Sequence, residues 1–442
     1  MSLIVKIGKK VKHMLLGEQN RIPGRDYVSA VRRIDRVAVR EKVCAMTFDD
    51  GPCALPPEPN TEKHPSLTEA ILSALKAYGA TATFDVIGDT SENYPDVAGE
   101  PGRADWGGVA YDHYPYLGKD EMGGALHQPE LVRAILEAGC ELSNHAYRHV
   151  LFGRKSFVYG KRQTWQNAGE ALADARRLHS LAEDTFGVTL RLARPPHYVD
   201  RADKHLTSYD IYERLGYQYT GASFDGAGWL PMDSYAAEIS AMTTPIAVAL
   251  AKDENALCGQ IVFGKDGYNM AFRSPVADAL PKQLKILTEA GYRVVTVSEL
   301  MSLGQFSDVD RDHPLYADAV ALLATGMPVA YRDNTLRPEA AVTEGELLYM
   351  LAPARCRDDR FETLSRGENP LLYRGFRLSH PYGAGAAYAK EKGILVLSPK
   401  RPLTGKRAAE LLAALELPPL ATEGTVTRTA LIRHLAGCLC NS

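Results

Sequence analysis

The chain has no C-x-x-C pair, no apolar run of membrane-spanning length and no excess of either charge. Its 51 lysines and arginines nearly balance 54 aspartates and glutamates, so there is no electrostatic footprint for nucleic acid and no polybasic membrane patch. Seven cysteines, Cys44, Cys53, Cys140, Cys258, Cys356, Cys438 and Cys440, are odd in number and irregularly spaced. That excludes a disulfide framework and a zinc knuckle, and suits a reducing compartment or a surface where thiols survive. The first residues, MSLIVKIGKKVKHMLLGEQ, are basic, but lysines break their apolar stretches, so they do not read as a secretory signal. Histidine is missing over a long interval, between His205 and His313.

What is present is rhythm. Between about residues 40 and 303, short apolar runs alternate with amphipathic stretches. VCAMTF (43–48), TATFDVIG (81–88), ELSNH (141–145), TLRLARP (189–195), QYTGASF (218–224) and QIVFG (260–264) read as strands. SLTEAILSALKAYG (66–79), PELVRAILEAGC (129–140), GEALADARRLHSLAEDTFG (169–187) and the start of KQLKILTEAGYRVVTVSEL (282–300) read as helices, the last ending in a strand. Such alternation predicts an α/β fold with parallel strands, and the number of repeats favours a (β/α) barrel. Residues 1–39 form an N-terminal extension. Residues 89–127 form a long aperiodic insertion with Trp106, Tyr111, Tyr114 and Tyr116, suited to stacking on sugar rings or to packing on themselves.

Several strand ends carry chemistry. TFDDGP (47–52) places Asp49 and Asp50 together at a strand's C-terminal end; the plain alternative is an acidic turn. SNHAYRH (143–149) sets His145 and His149 four apart, on one face of a helical turn. Two imidazoles and a carboxylate suit a divalent transition metal; two surface histidines are the alternative. RPPHY (194–198), SFDGAGW (223–229) and QIVFGKDG (260–267) follow in order, each at a strand end.

With these five segments in sequence, residues 40–302 resemble the polysaccharide deacetylases, the NodB-homology or carbohydrate esterase family 4 enzymes. TFDDGP matches that family's first motif fully. In the second, Ala146 replaces Ser or Thr; in the third, His197 replaces the usual Tyr; the fourth keeps Asp225 and Trp229. VVTVSEL (294–300) resembles the family's last strand.

The resemblance implies a distorted barrel of the NodB type and removal of N-acetyl groups from a glycan. Asp50, His145 and His149 would hold a divalent metal, zinc first, with cobalt or manganese as alternatives. Asp49 would be the base that deprotonates the activated water, oriented by Arg194. The backbone N–H of His197 would stabilise the oxyanion, with Pro196 and Tyr198 beside it, and Trp229 would floor the pocket or pack in the core. In the fifth motif Lys265 stands where the family has its histidine acid, tuned by Asp225. Lys265 as acid, His113 from the insertion as its substitute, and a catalytically weak or inactive glycan-binding barrel are the readings that follow. Removal of acetyl from a small amide or an O-ester shares the same site.

After Leu303 the texture changes. His313-Pro314 and Gly326 recur as His380-Pro381 and Gly393 at the same offset, Val342-Thr343 recurs as Leu403-Thr404, and VTRTALIRHL (426–435) is a third fragment. This predicts a small all-α repeat domain over 304–442. Its segments resemble S-layer homology modules, which implies a cell-wall polymer as partner and a cell-envelope location. Thr343-Glu344-Gly345-Glu346 and Thr404-Gly405-Lys406-Arg407 depart from the polymer-binding pattern of those modules, so a purely structural appendage is the alternative.

Overall fold

The computed structural model describes residues 22–89, 120–152, 164–165, 167–229, 231–269 and 271–440. The aromatic residues of the insertion named above, and His113, lie outside the described residues.

Among the described residues, nine strands form one sheet: β1 (Arg33–Ile34), β2 (Val43–Asp49), β3 (Thr83–Val86), β4 (Glu141–Asn144), β5 (Leu192–Ala193), β6 (Gln218–Thr220), β7 (Phe224–Asp225), β8 (Ile261–Lys265) and β9 (Arg293–Val295). Every pairing is parallel, in the order β1-β6-β5-β4-β3-β2-β8-β7, with β9 also on β2. The expected α/β barrel is therefore present, in distorted form. All seven residues of β2 are buried, as a strand covered on both faces requires.

Crossover helices begin and end where their sequences allow. Ser66 accepts from the Glu69 N–H to cap Leu67–Ala77. Asn167 caps Ala168–Phe186, which Gly187 ends at φ 68.

Two strand readings differ from what the sequence suggested. QYTGASF is not one strand: β6 pairs with β1 and β5 near one end of the sheet and β7 with β8 at the other, so the run 218–225 crosses from one to the other. Gly221 makes the crossing feasible, because a Cβ there would lie 1.9 Å from Asp35 Oδ1. VVTVSEL is strand only to Val295. Thr296 then accepts from the Glu299 N–H and starts the helix Val297–Leu303, so local capping wins over the β-branched run.

The C-terminal region is helical apart from a hairpin, β10 (Leu371–Tyr373) with β11 (Phe376–Arg377). Its repeat is threefold. The Val342 N–H donates to Val426, the Val426 N–H to Leu403 and the Leu403 N–H to Val342, each at 2.9 Å, closing a ring of three chain segments. The next residue in each, Thr343, Thr404 and Thr427, caps a helix: Glu344–Leu351, Gly405–Ala414 and Arg428–Leu439.

Residues 22–39, within the stretch read as an extension, join both units. They supply β1, and Val28 is buried in the C-terminal core. Arg360 from the C-terminal unit reaches Asp210 of the barrel at 2.5 Å. No helix among the described residues is long and apolar enough to cross a membrane.

Candidate metal centre and its acid base pair

The sheet's register assembles the site. Asp49 ends β2 and lies between Asp85 on β3 and Lys265 on β8. His145 and His149 follow β4, and Arg194 follows β5. All these side chains are buried, so each charge has to meet a partner.

Asp50 Oδ1 lies 3.3 Å from His145 Nε2 and 3.2 Å from His149 Nε2. Zinc bonds of about 2.0–2.1 Å place the donors of a tetrahedron about 3.3–3.4 Å apart. The three donor atoms all fall within 4.8 Å of one another. His145 Nδ1 sits 2.9 Å from the Arg194 carbonyl oxygen, which fixes Nδ1 as the protonated nitrogen and leaves Nε2 as the donor toward the shared centre. Donor set and spacing fit a divalent ion with one face left open. Holding them there requires strain. Asp50, Ala146, His149 and His197 adopt φ of 78, 69, 54 and 55, a region that non-glycine residues rarely enter.

The adjacent carboxylates are separated by their cations. Asp49 pairs with Arg194, whose guanidinium also donates to Thr47 Oγ1 at 3.0 Å, to the Thr220 carbonyl at 3.0 Å and to the Gly221 carbonyl at 2.9 Å. Asp50 Oδ2 takes the Lys265 ammonium at 2.8 Å. Burial works against a charged His145, but Asp49 and Asp50 outweigh it and raise the imidazole's pKa.

The His197 ring stands edge-on to His149, with 5.2 Å between centroids, and is half-buried. Pro196 is buried in the same turn. Tyr198 lies between two guanidinium groups, 5.3 Å from Arg194 and 5.0 Å from Arg33, so its ring braces Arg194 from behind. Asp225 is exposed; it accepts from the Ala227 N–H at 2.8 Å and lies 3.4 Å from the Trp229 indole nitrogen. Its register partner on β8 is Phe263, two residues before Lys265.

Two buried acids were not singled out in the sequence. Asp85 lies 3.0 Å from Arg194 and accepts from Ser143 Oγ at 2.5 Å; burial pushes its carboxyl up to about 7, against the pull of Arg194. Its signal was a carboxylate inside the apolar run TATFDVIG. Asp266 accepts from Thr68 Oγ1 at 2.8 Å, and burial pushes it up to about 8. It explains Gly51, where a Cβ would lie 2.1 Å from Asp266 Oδ2.

Residues 36–220 match the model of the polysaccharide deacetylase family. The peptidoglycan-N-acetylglucosamine deacetylase of Bacillus cereus is 25% identical over 261 residues, 59% of this chain and 89% of that protein. The peptidoglycan-N-acetylmuramic acid deacetylase PdaC of Bacillus subtilis is 25% identical over 274 residues, 62% of this chain but only 42% of that protein. A solved structure of PdaC aligns over 60% of this chain and 91% of its own, at 23% identity and a TM-score of 0.38. The polysaccharide deacetylase family is the one that the family match and these curated relatives support.

Proposed function

We propose that this chain, whose residues 36–220 match polysaccharide deacetylases, is a metal-dependent hydrolase that removes N-acetyl groups from a cell-wall or other N-acetylglucosamine-containing glycan. The observation that carries this is the spacing of Asp50, His145 and His149, with Asp49 held beside them by Arg194. The ion, with zinc the best match to this donor set, would supply Lewis acidity to a water and to the amide oxygen.

The chain's own residues do the rest. Asp49 accepts a proton from the attacking water. Arg194 keeps that carboxylate aimed, because its other donors are tied to fixed backbone oxygens. The backbone N–H of His197 adds a donor toward the developing oxyanion. Proton return to the leaving amine falls to the His197 imidazole, which borders the triad without belonging to it. Lys265 is a poorer acid: its ordinary pKa of about 10.4 is high, and its ammonium is engaged by Asp50. Trp229 and Asp225, at the exposed end of β7, line the approach for a sugar ring.

The threefold C-terminal unit supports a second role, contact with wall polymer. Its likeness to S-layer homology modules is the basis for that role and for a cell-envelope location.

Acetate release from N-acetylglucosamine oligomers, with and without added zinc or cobalt, tests the reading. Metal-dependent release is expected, with Asp49→Asn lowering kcat by about 100-fold or more. Equal release without metal, or none from the wild type with either metal, overturns it and leaves the alternative of a glycan-binding protein on a deacetylase-like barrel.

A further inference from the structure

We propose that Lys265 is a built-in counter-cation of the metal centre, which neutralises Asp50 when no metal is bound and lowers the site's affinity for metal. The inference rests on the metal-binding half of the reading above.

Three observations lead to it. Parallel register pairs Lys265 with Asp49, so β8 delivers the side chain to the Asp49–Asp50 turn rather than to the mouth of the site. Lys265 is 9% exposed and its ammonium meets Asp50 Oδ2 at 2.8 Å, while both imidazoles meet Oδ1. The two oxygens of one carboxylate are thus divided between a fixed internal cation and the metal pocket. The chain segment carrying Lys265 is also locked, since the Asp266 N–H donates to the Asp49 carbonyl at 2.7 Å.

Two consequences follow from charge alone. Without metal, Lys265 compensates a carboxylate that would otherwise be buried beside Asp49 with too little positive charge. With metal, a dipositive ion and an ammonium share one carboxylate in a weakly screened interior, so the ammonium repels the ion and drains donor strength from Asp50. The site therefore binds metal reversibly and responds to the free metal concentration.

The test is a calorimetric titration of the full chain with zinc alone, on wild type, Lys265→Met and Lys265→Arg. Methionine keeps an unbranched side chain, one atom shorter, and removes the charge; arginine keeps the charge. Lys265→Met is expected to bind zinc at least tenfold more tightly, and Lys265→Arg within about threefold of wild type. The melting temperature of each protein in chelator, and its rise on adding zinc, provides a second readout. Lys265→Met is expected to melt lower in chelator and to gain more from zinc than wild type.

Unchanged or weaker zinc binding by Lys265→Met overturns the proposal, because a merely structural lysine would behave that way. Equal tightening by Lys265→Arg overturns it too, since the effect would then not be one of charge. If no variant binds zinc, the inference falls together with the metal site. If Lys265→Met tightens zinc while the wild type releases no acetate, the counter-cation stands and the hydrolase reading falls.

Discussion

Each aspartate near the centre is governed by the cation it can reach. Asp49 has Arg194, Asp50 has Lys265, and Asp266, among the described residues, has only the Thr68 hydroxyl on Oδ2 and a buried, unpartnered Oδ1. The last therefore keeps its proton up to about pH 8, whereas in an unfolded chain it would lose it near 4. Between those values the folded state binds the extra proton, so stability falls as pH rises from about 4 to about 8 and is flat above. Asp266→Asn removes that slope. In chelator, urea denaturation should show the variant gaining on wild type between pH 5 and pH 8; a constant difference would contradict the assignment. The sequence revealed the residues whose type is unusual for their place: paired carboxylates at a strand end, and two histidines four apart. It did not reveal the Lys265–Asp50 pair. That contact joins strands more than two hundred residues apart and depends on a register that only the assembled sheet defines.

Strand ends and tight crossings decide where the reactive groups point. Gly226 follows β7 and packs so closely on β8 that a Cβ would lie 1.9 Å from the Phe263 carbonyl oxygen, a backbone atom that cannot yield. Gly226→Ala should destabilise the protein by about 2 kcal/mol or more and displace the loop that carries Asp225 and Trp229. A lowered melting temperature and a raised KM for oligomers are the expected readings; unchanged values for both would mean the loop adapts freely. Helices announced themselves in the sequence because their caps are local: Ser66, Asn167 and Gly187 sit at or next to the expected limits. The division of QYTGASF between two distant parts of the sheet did not, since apolar periodicity is the same whichever neighbour a strand pairs with.

At the scale of the molecule, barrel and C-terminal unit are joined by buried charge. The Arg360 guanidinium lies 2.5 Å from Asp210 and donates to the Leu378 carbonyl at 3.1 Å. Burial alone would raise the Asp210 carboxyl, but Arg360 and Arg332 hold it below the usual range. Arg360→Ala removes the cation bonded to that carboxylate and leaves it Arg332 and the Thr207 donors, at a cost of about 1.5–3 kcal/mol. Calorimetry should then resolve two unfolding transitions where wild type gives one; a single unshifted transition would show that the units are not coupled through this pair. The threefold repeat was visible in two copies and faint in the third, because the feature that unites them is a ring of backbone hydrogen bonds rather than a shared side chain.

The most direct measurement for the whole account is anomalous diffraction at the zinc edge from crystals of the chain grown with zinc. The account predicts one peak per chain, within about 2.2 Å of Asp50 Oδ1, His145 Nε2 and His149 Nε2, with Asp49 beside it and outside bonding distance. A peak elsewhere, or no peak at this triad, would contradict it.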